Sequence, residues 1–231
     1  MTTTLRASAL LLMAATLALG LLADARAGLA VQLLVGAAFW AVLAFAAGRV
    51  SRRERRALLA CLCVSTAGEL LLSVAWGLYA YRLENVPLFV PPGHVLMYLL
   101  ASSLAARMSE ATARAVVLAA GLYAAGAAAT GFDTLGVLLF LILGVAMLAL
   151  PAERRLLAST LLLSLALELY GTWLGIWTWG REVPFTALVT SSPPALSGAL
   201  YVIRDAGVIV LSAIFLRPAT AVAIPAPGPS A

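Results

Sequence analysis

The stretch Ser65-Thr66-Ala67-Gly68-Glu69-Leu70-Leu71-Leu72-Ser73 lies inside an apolar run. It recurs as Ser164-Leu165-Ala166-Leu167-Glu168-Leu169-Tyr170-Gly171-Thr172. Ser65 matches Ser164, Glu69 matches Glu168 and Ser73 matches Thr172 at one offset of 99 residues (69 to 168). Three polar matches in one register, within otherwise apolar sequence, point to a duplicated unit. With small gaps the match extends outward. Gly77 falls near Gly175, Tyr79 near Trp177, Tyr81 near Trp179, Pro87 near Pro184, Pro91-Pro92 near Pro193-Pro194, and Tyr98 near Tyr201. The repeat thus covers a helix, the loop after it and the next helix.

The runs that carry this repeat are too apolar for a water-soluble domain. Of 231 residues 63% are hydrophobic and only 11% charged, against about 25% charged in ordinary soluble domains. A bilayer core takes about 20 apolar residues per helix. That length fits eight places, roughly 5–23, 28–48, 57–80, 92–108, 112–130, 132–150, 155–178 and 195–216. The fold class expected is all-α: a polytopic transmembrane bundle of about eight spans, arranged as two four-helix repeats, 1–108 and 109–217. Four spans is an even number, so both repeats enter the membrane in the same direction, as a parallel repeat. The segment 218–231, ending PAPGPSA, has no apolar periodicity and reads as a disordered tail.

All fifteen basic residues are arginine, which suits a high-GC bacterial genome. Placing the block Arg49-Val50-Ser51-Arg52-Arg53-Glu54-Arg55-Arg56 in the cytoplasm puts eleven arginines inside. Arg26, Arg82 and Arg181 remain outside, and Arg204 falls within a span. This bias predicts an integral protein of the bacterial inner membrane with both termini cytoplasmic. The net charge of +5 is accounted for by this flanking pattern and argues for no nucleic-acid partner. Arg6 and Ala25-Arg26-Ala27 give the first span some features of a signal peptide, but its counterpart in span five favours a retained helix. Cys61 and Cys63 lie about 200° apart on a helix, too splayed to bridge. No zinc spacing, P-loop or dinucleotide fingerprint occurs, so neither a metal site nor a cofactor is expected.

Residues four apart share a helix face. Ser65, Glu69 and Ser73 therefore form one polar stripe and Ser164, Glu168 and Thr172 another, both near mid-bilayer. The last span adds Arg204 and Asp205 at similar depth, with Tyr201 one turn earlier. A charge at mid-bilayer costs about 2.5–3.5 kcal/mol, so the four groups must face inward and partly neutralise one another. Arg204 bridging the two glutamates is the structural reading. The functional one is an acid-base site in which a glutamate without a full counter-charge holds a proton. His94, the only histidine, follows Pro91-Pro92-Gly93 as either an interfacial or a proton-transfer residue. Trp76, Tyr79, Tyr81, Trp173, Trp177 and Trp179 cluster at the outer boundary, where an interfacial aromatic belt is the plainer explanation. Asp133 is expected to start a helix, and Gln32 to make an interhelical hydrogen bond.

Gly68-Glu69, Trp76-Gly77-Leu78-Tyr79-Ala80-Tyr81 and Val86-Pro87-Leu88 together resemble the pattern of membrane carotenoid hydratases of the bacterioruberin type. The related membrane lycopene cyclases are broadly similar. The resemblance covers about 25 residues, with a fainter echo around Glu168, Gly175 and Trp179. It implies protonation of an alkene in a long isoprenoid by a carboxyl group, with aromatic faces stabilising the carbocation. Glu69 or Glu168 would be the acid, and His94, Arg204 and Asp205 would complete the catalytic set. Trp76, Tyr79, Trp173, Trp177, Tyr201, Ser73 and Thr172 would bind a lipid or other hydrophobic substrate. The second copy departs from the pattern at Glu182-Val183-Pro184-Phe185, which leaves substrate and reaction type open. Two other classes fit the same residues: a small-solute or proton-coupled transporter, and a non-catalytic membrane subunit or assembly factor. The oligomeric state is open.

Overall fold

In the computed structural model, which describes residues 5–194 and 196–215, the chain is mostly helical. Among the described residues there are eight α-helices: α1 (Ala7–Asp24), α2 (Leu29–Ala47), α3 (Arg52–Glu69), α4 (Val90–Ala105), α5 (Glu110–Ala129), α6 (Leu135–Ala149), α7 (Arg154–Trp173) and α8 (Gly198–Phe215). Among the described residues five helical stretches are long and apolar enough to cross a membrane: Ala7–Asp24, Leu29–Ala47, Arg52–Ala75, Glu110–Ala129 and Pro151–Trp173. Only 22% to 50% of each is buried within the protein, so much of their apolar surface points outward. The shorter α4 and α6 have 16 and 15 residues. The segment 218–231 lies outside the described residues.

Four helices form the centre. α3 packs on α4 and α8, and α7 packs on the same two. The α1–α2 pair flanks α4, while the α5–α6 pair flanks α7 and α8. Local sequence sets several helix starts. Ser51 accepts from the Glu54 backbone N–H at 3.2 Å, and the Glu54 carboxylate accepts from the Ser51 N–H at 3.0 Å. This capping box begins a helix in the middle of the arginine block. Asp133 fulfils its expected role, accepting from the Gly136 N–H at 2.8 Å. The Gln32 carbonyl accepts from the loop residue Asn85 at 2.7 Å, and its side chain also meets the Asp24 carboxyl at the end of α1. Cys61 is buried and Cys63 exposed.

The third and seventh apolar runs do not stay helical to their expected ends. Beyond Glu69, α3 widens into a π-helical turn, Leu70–Ala75, where the Trp76 N–H donates to the Leu71 carbonyl. Gly77 then takes φ 71° and Gly175, after α7, takes φ 72°. Glycine adopts this conformation without a Cβ clash, and at both places the chain turns sharply out of the helix. Two short strands follow, β1 (Tyr79–Tyr81) and β2 (Trp177–Trp179). They pair antiparallel, Tyr79 opposite Trp179 and Tyr81 opposite Trp177. Strand residues alternate faces, so the four aromatic rings point inward while Ala80 and Thr178 face out.

An arginine follows each strand and ties it to the neighbouring helix pair. Arg82 donates to the carbonyls of Asp24 and Ala27 at 2.6 and 2.7 Å, at the α1–α2 turn. Arg181 donates to the carbonyls of Gly131 and Phe132 at the α5–α6 turn. Both donate to carbonyls of the turn that joins a helix pair.

Candidate functional site

Glu69 at the end of α3 and Glu168 in α7 are both buried, and the ribbon supplies donors to each. Glu69 Oε2 accepts from the Tyr79 and Tyr81 hydroxyls at 2.8 and 2.7 Å. Glu168 Oε2 accepts from the indole N–H groups of Trp177 and Trp179 at 2.8 and 3.1 Å. The two acids are therefore held alike, each by both aromatic residues of the strand that follows it. Trp177 reaches Glu168 by folding back over Gly171. A Cβ there would stand 2.1 Å from the indole ring, so the close approach needs glycine. The tyrosines lie outside the long apolar helices, and burial, followed by the Glu69 charge, holds both phenols well above their ordinary range. They remain protonated donors.

The other carboxylate oxygens differ. Glu69 Oε1 meets His94 Nε2 at 2.8 Å, and His94 Nδ1 meets Arg204 Nη1 at 3.0 Å. Arginine only donates. Nδ1 must therefore accept, which places the imidazole hydrogen on Nε2, aimed at Glu69. Arg204 also forks onto Asp205 Oδ1 at 2.8 and 2.6 Å, and the Thr160 hydroxyl donates to Asp205 Oδ2. A hydrogen-bonded chain thus runs Thr160, Asp205, Arg204, His94, Glu69. Glu168 Oε1 has a simpler partner, the Tyr201 hydroxyl at 2.9 Å. A hydroxyl can donate or accept, so this oxygen can carry a hydrogen without setting donor against donor.

Two narrow cavities flank the acids. One, of about 40 Å³, is walled by Leu17, Leu21, Phe39, Phe89, Val90 and Leu167. The other, of about 60 Å³, is walled by Val64, Ser65, Gly68, Leu72, Leu200 and Arg204. Glu69, Tyr79, His94, Glu168 and Tyr201 line both, so the acid cluster forms the waist between them. Each has room for a few water molecules or the tip of a branched alkyl chain. Among the described residues no group of three His, Cys, Asp or Glu side chains is placed to hold a metal ion.

No family model matches this chain, and no curated protein or solved structure matches it. The roles of its residues rest on their geometry.

Of the residues singled out from sequence, Glu69, Glu168, His94, Tyr79, Trp177 and Tyr201 converge here, with Arg204 and Asp205 adjoining. The expected Arg204–glutamate bridge does not form. Arg204 turns along its own helix to Asp205, and the His94 ring stands between it and Glu69. Four residues fall elsewhere. The π-helical turn winds the chain off the Ser65–Glu69 face, so Ser73 borders an outer cleft instead. Trp76 donates to the Pro184 carbonyl at 3.1 Å and anchors a loop. Thr172 returns its hydroxyl to the Glu168 carbonyl at 2.7 Å. Trp173, five residues past Glu168 and so about 140° round the helix, is 78% exposed. Tyr81 and Trp179 are site residues that the helical reading left in an interfacial belt. Their signal was the alternation Tyr-Ala-Tyr and Trp-Thr-Trp, the two-residue period of a strand.

Proposed function

We propose that this protein is an integral membrane enzyme that protonates an alkene of a long isoprenoid, in a hydration or cyclisation of the kind carried out by the carotenoid hydratases it resembles. The observation that carries this reading is the acid pair. Two buried carboxyl groups, each with three hydrogen-bond partners, line a cavity whose walls beyond the acid cluster are apolar or aromatic.

Glu168 is the proton donor in this scheme. The alkene π pair takes the hydrogen from Oε1, a C–H bond forms, and the O–H electrons stay on a carboxylate that two indole N–H groups already stabilise. The cation left on the neighbouring carbon faces the rings of Tyr79, Tyr81 and Trp177 and the Glu69 carboxylate. Water then adds to it and gives up a proton to Glu69, or an adjacent alkene closes a ring and the new cation loses a C–H proton to the same Glu69 carboxylate, its C–H pair forming the product double bond. His94, its ring fixed by Arg204, keeps Glu69 oriented for that acceptance.

The test is Glu168→Gln and Glu69→Gln in cells that accumulate linear carotenoids, with pigments resolved by chromatography. Product is expected to fall at least about 100-fold for Glu168→Gln. An unchanged pigment profile in both variants overturns the reading.

The membrane arrangement belongs to the same proposal: eight spans, two parallel repeats, an inner-membrane setting and cytoplasmic termini. Exposed leucines along the outer faces support it. So does the ribbon, because strands that run across a two-fold axis along the membrane normal meet antiparallel. A carrier is the second reading, favoured by the π-helical break beside Glu69, since interrupted spans often mark translocation sites. Solute uptake into proteoliposomes that is abolished by Arg204→Ala would favour it over the enzyme.

A further inference from the structure

Away from the acid site, an apolar groove of about 590 Å³ runs between α5 and α6, with Arg114 of α5 and Arg154 at the start of α7 at one end. Its walls include Val117, Leu118, Met147 and Leu148, with Arg114 and Arg154 also among its lining residues. It is open at Gly144, where an added Cβ would meet nothing within 4 Å. The Phe140 ring lies against Gly121, and with Leu122 these residues mark the end of the groove away from the arginines. From Glu110 to Gly121 is about 17 Å of helix, close to the roughly 15 Å depth of one leaflet's hydrocarbon.

The charges sit at one end only. Arg154 Nε donates to the Met147 carbonyl at 3.0 Å, which bends the guanidinium over the end of α6. Glu110, the one carboxylate lining the groove, faces Arg155 at 3.3 Å. Arg114 and Arg154 form no ion pair among the described residues. Two guanidinium groups at the mouth of a leaflet-deep apolar channel match an anionic headgroup on an acyl chain.

We infer that this groove binds one membrane phospholipid of net negative charge, its acyl chain between α5 and α6 and its phosphate between Arg114 and Arg154. The site is independent of the chemistry at Glu69 and Glu168.

Native mass spectrometry of the full-length protein in detergent tests this, with equimolar palmitoyl-oleoyl phosphatidylglycerol and phosphatidylcholine added after delipidation. The first adduct is expected to favour phosphatidylglycerol at least about fivefold, since a basic residue near an anionic lipid contributes roughly that factor. Arg114→Ala/Arg154→Ala should abolish the preference. Gly144→Leu, which fills open space, should reduce binding of both lipids. Arg52→Ala/Arg53→Ala removes the same charge away from the groove and should leave the preference intact. Equal binding of the two lipids by the unaltered protein, a preference that survives Arg114→Ala/Arg154→Ala, or one lost equally with Arg52→Ala/Arg53→Ala would each overturn the inference.

Discussion

Trp177 reaches Glu168 only because residue 171 has no side chain. Gly171→Ala is therefore expected to destabilise the detergent-solubilised protein by about 1–3 kcal/mol, the usual range for overpacking. It should also shift tryptophan emission as the indole leaves its carboxylate, read by thermal unfolding and fluorescence. The ribbon tyrosines allow a second check. Raised phenol values favour the neutral form, so alkaline titration of phenolate absorbance should leave Tyr79 and Tyr81 un-ionised until the protein unfolds. Legibility was uneven at this scale. Glu69, Glu168, Arg204 and Asp205 stood out because a charge in an apolar run must have a reason. Which of them touch was not legible, because the direction in which Arg204 points is settled by Asp205 beside it and by the His94 ring from α4.

The elements were legible wherever length and apolar periodicity agreed, and obscured where an apolar run changed conformation partway. Positions 57–80 and 155–178 read as single helices because tryptophan and tyrosine are as apolar in a strand as in a helix. Only Gly77 and Gly175 and the aromatic alternation marked the change. The stripe rule failed at Ser73 for a related reason, since a four-residue step holds only while the helix keeps 3.6 residues per turn. Both glycines stand in open space, with nothing within 4 Å of an added Cβ. Alanine at either therefore meets backbone strain alone, about 1–2 kcal/mol. Gly77→Ala and Gly175→Ala should each lower the midpoint of thermal unfolding. Their effects should add, because the strain at each site is local.

At the scale of the whole molecule, the arginine pattern predicts which loops meet which side, and two of the three arginines left on the outer side have structural roles. Arg82 and Arg181 are held by helix-end carbonyls. In a Cys61→Ala/Cys63→Ala background, Phe185→Cys is expected to react with a membrane-impermeant maleimide in intact spheroplasts. Phe185 is 94% exposed in the loop after β2. Arg52→Cys should react only after permeabilisation, and the reverse pattern would invert the topology. The ribbon has one more consequence, for the order of events during synthesis. Its partners Tyr79 and Trp179 lie a hundred positions apart, an interval of about 5–20 s at ordinary translation rates. The nascent first half must therefore wait, its tyrosines without their strand partners, until the second half emerges. Fragments 1–108 and 109–231 made separately should each be incomplete, and co-purify when made together, because each holds only one strand of the ribbon.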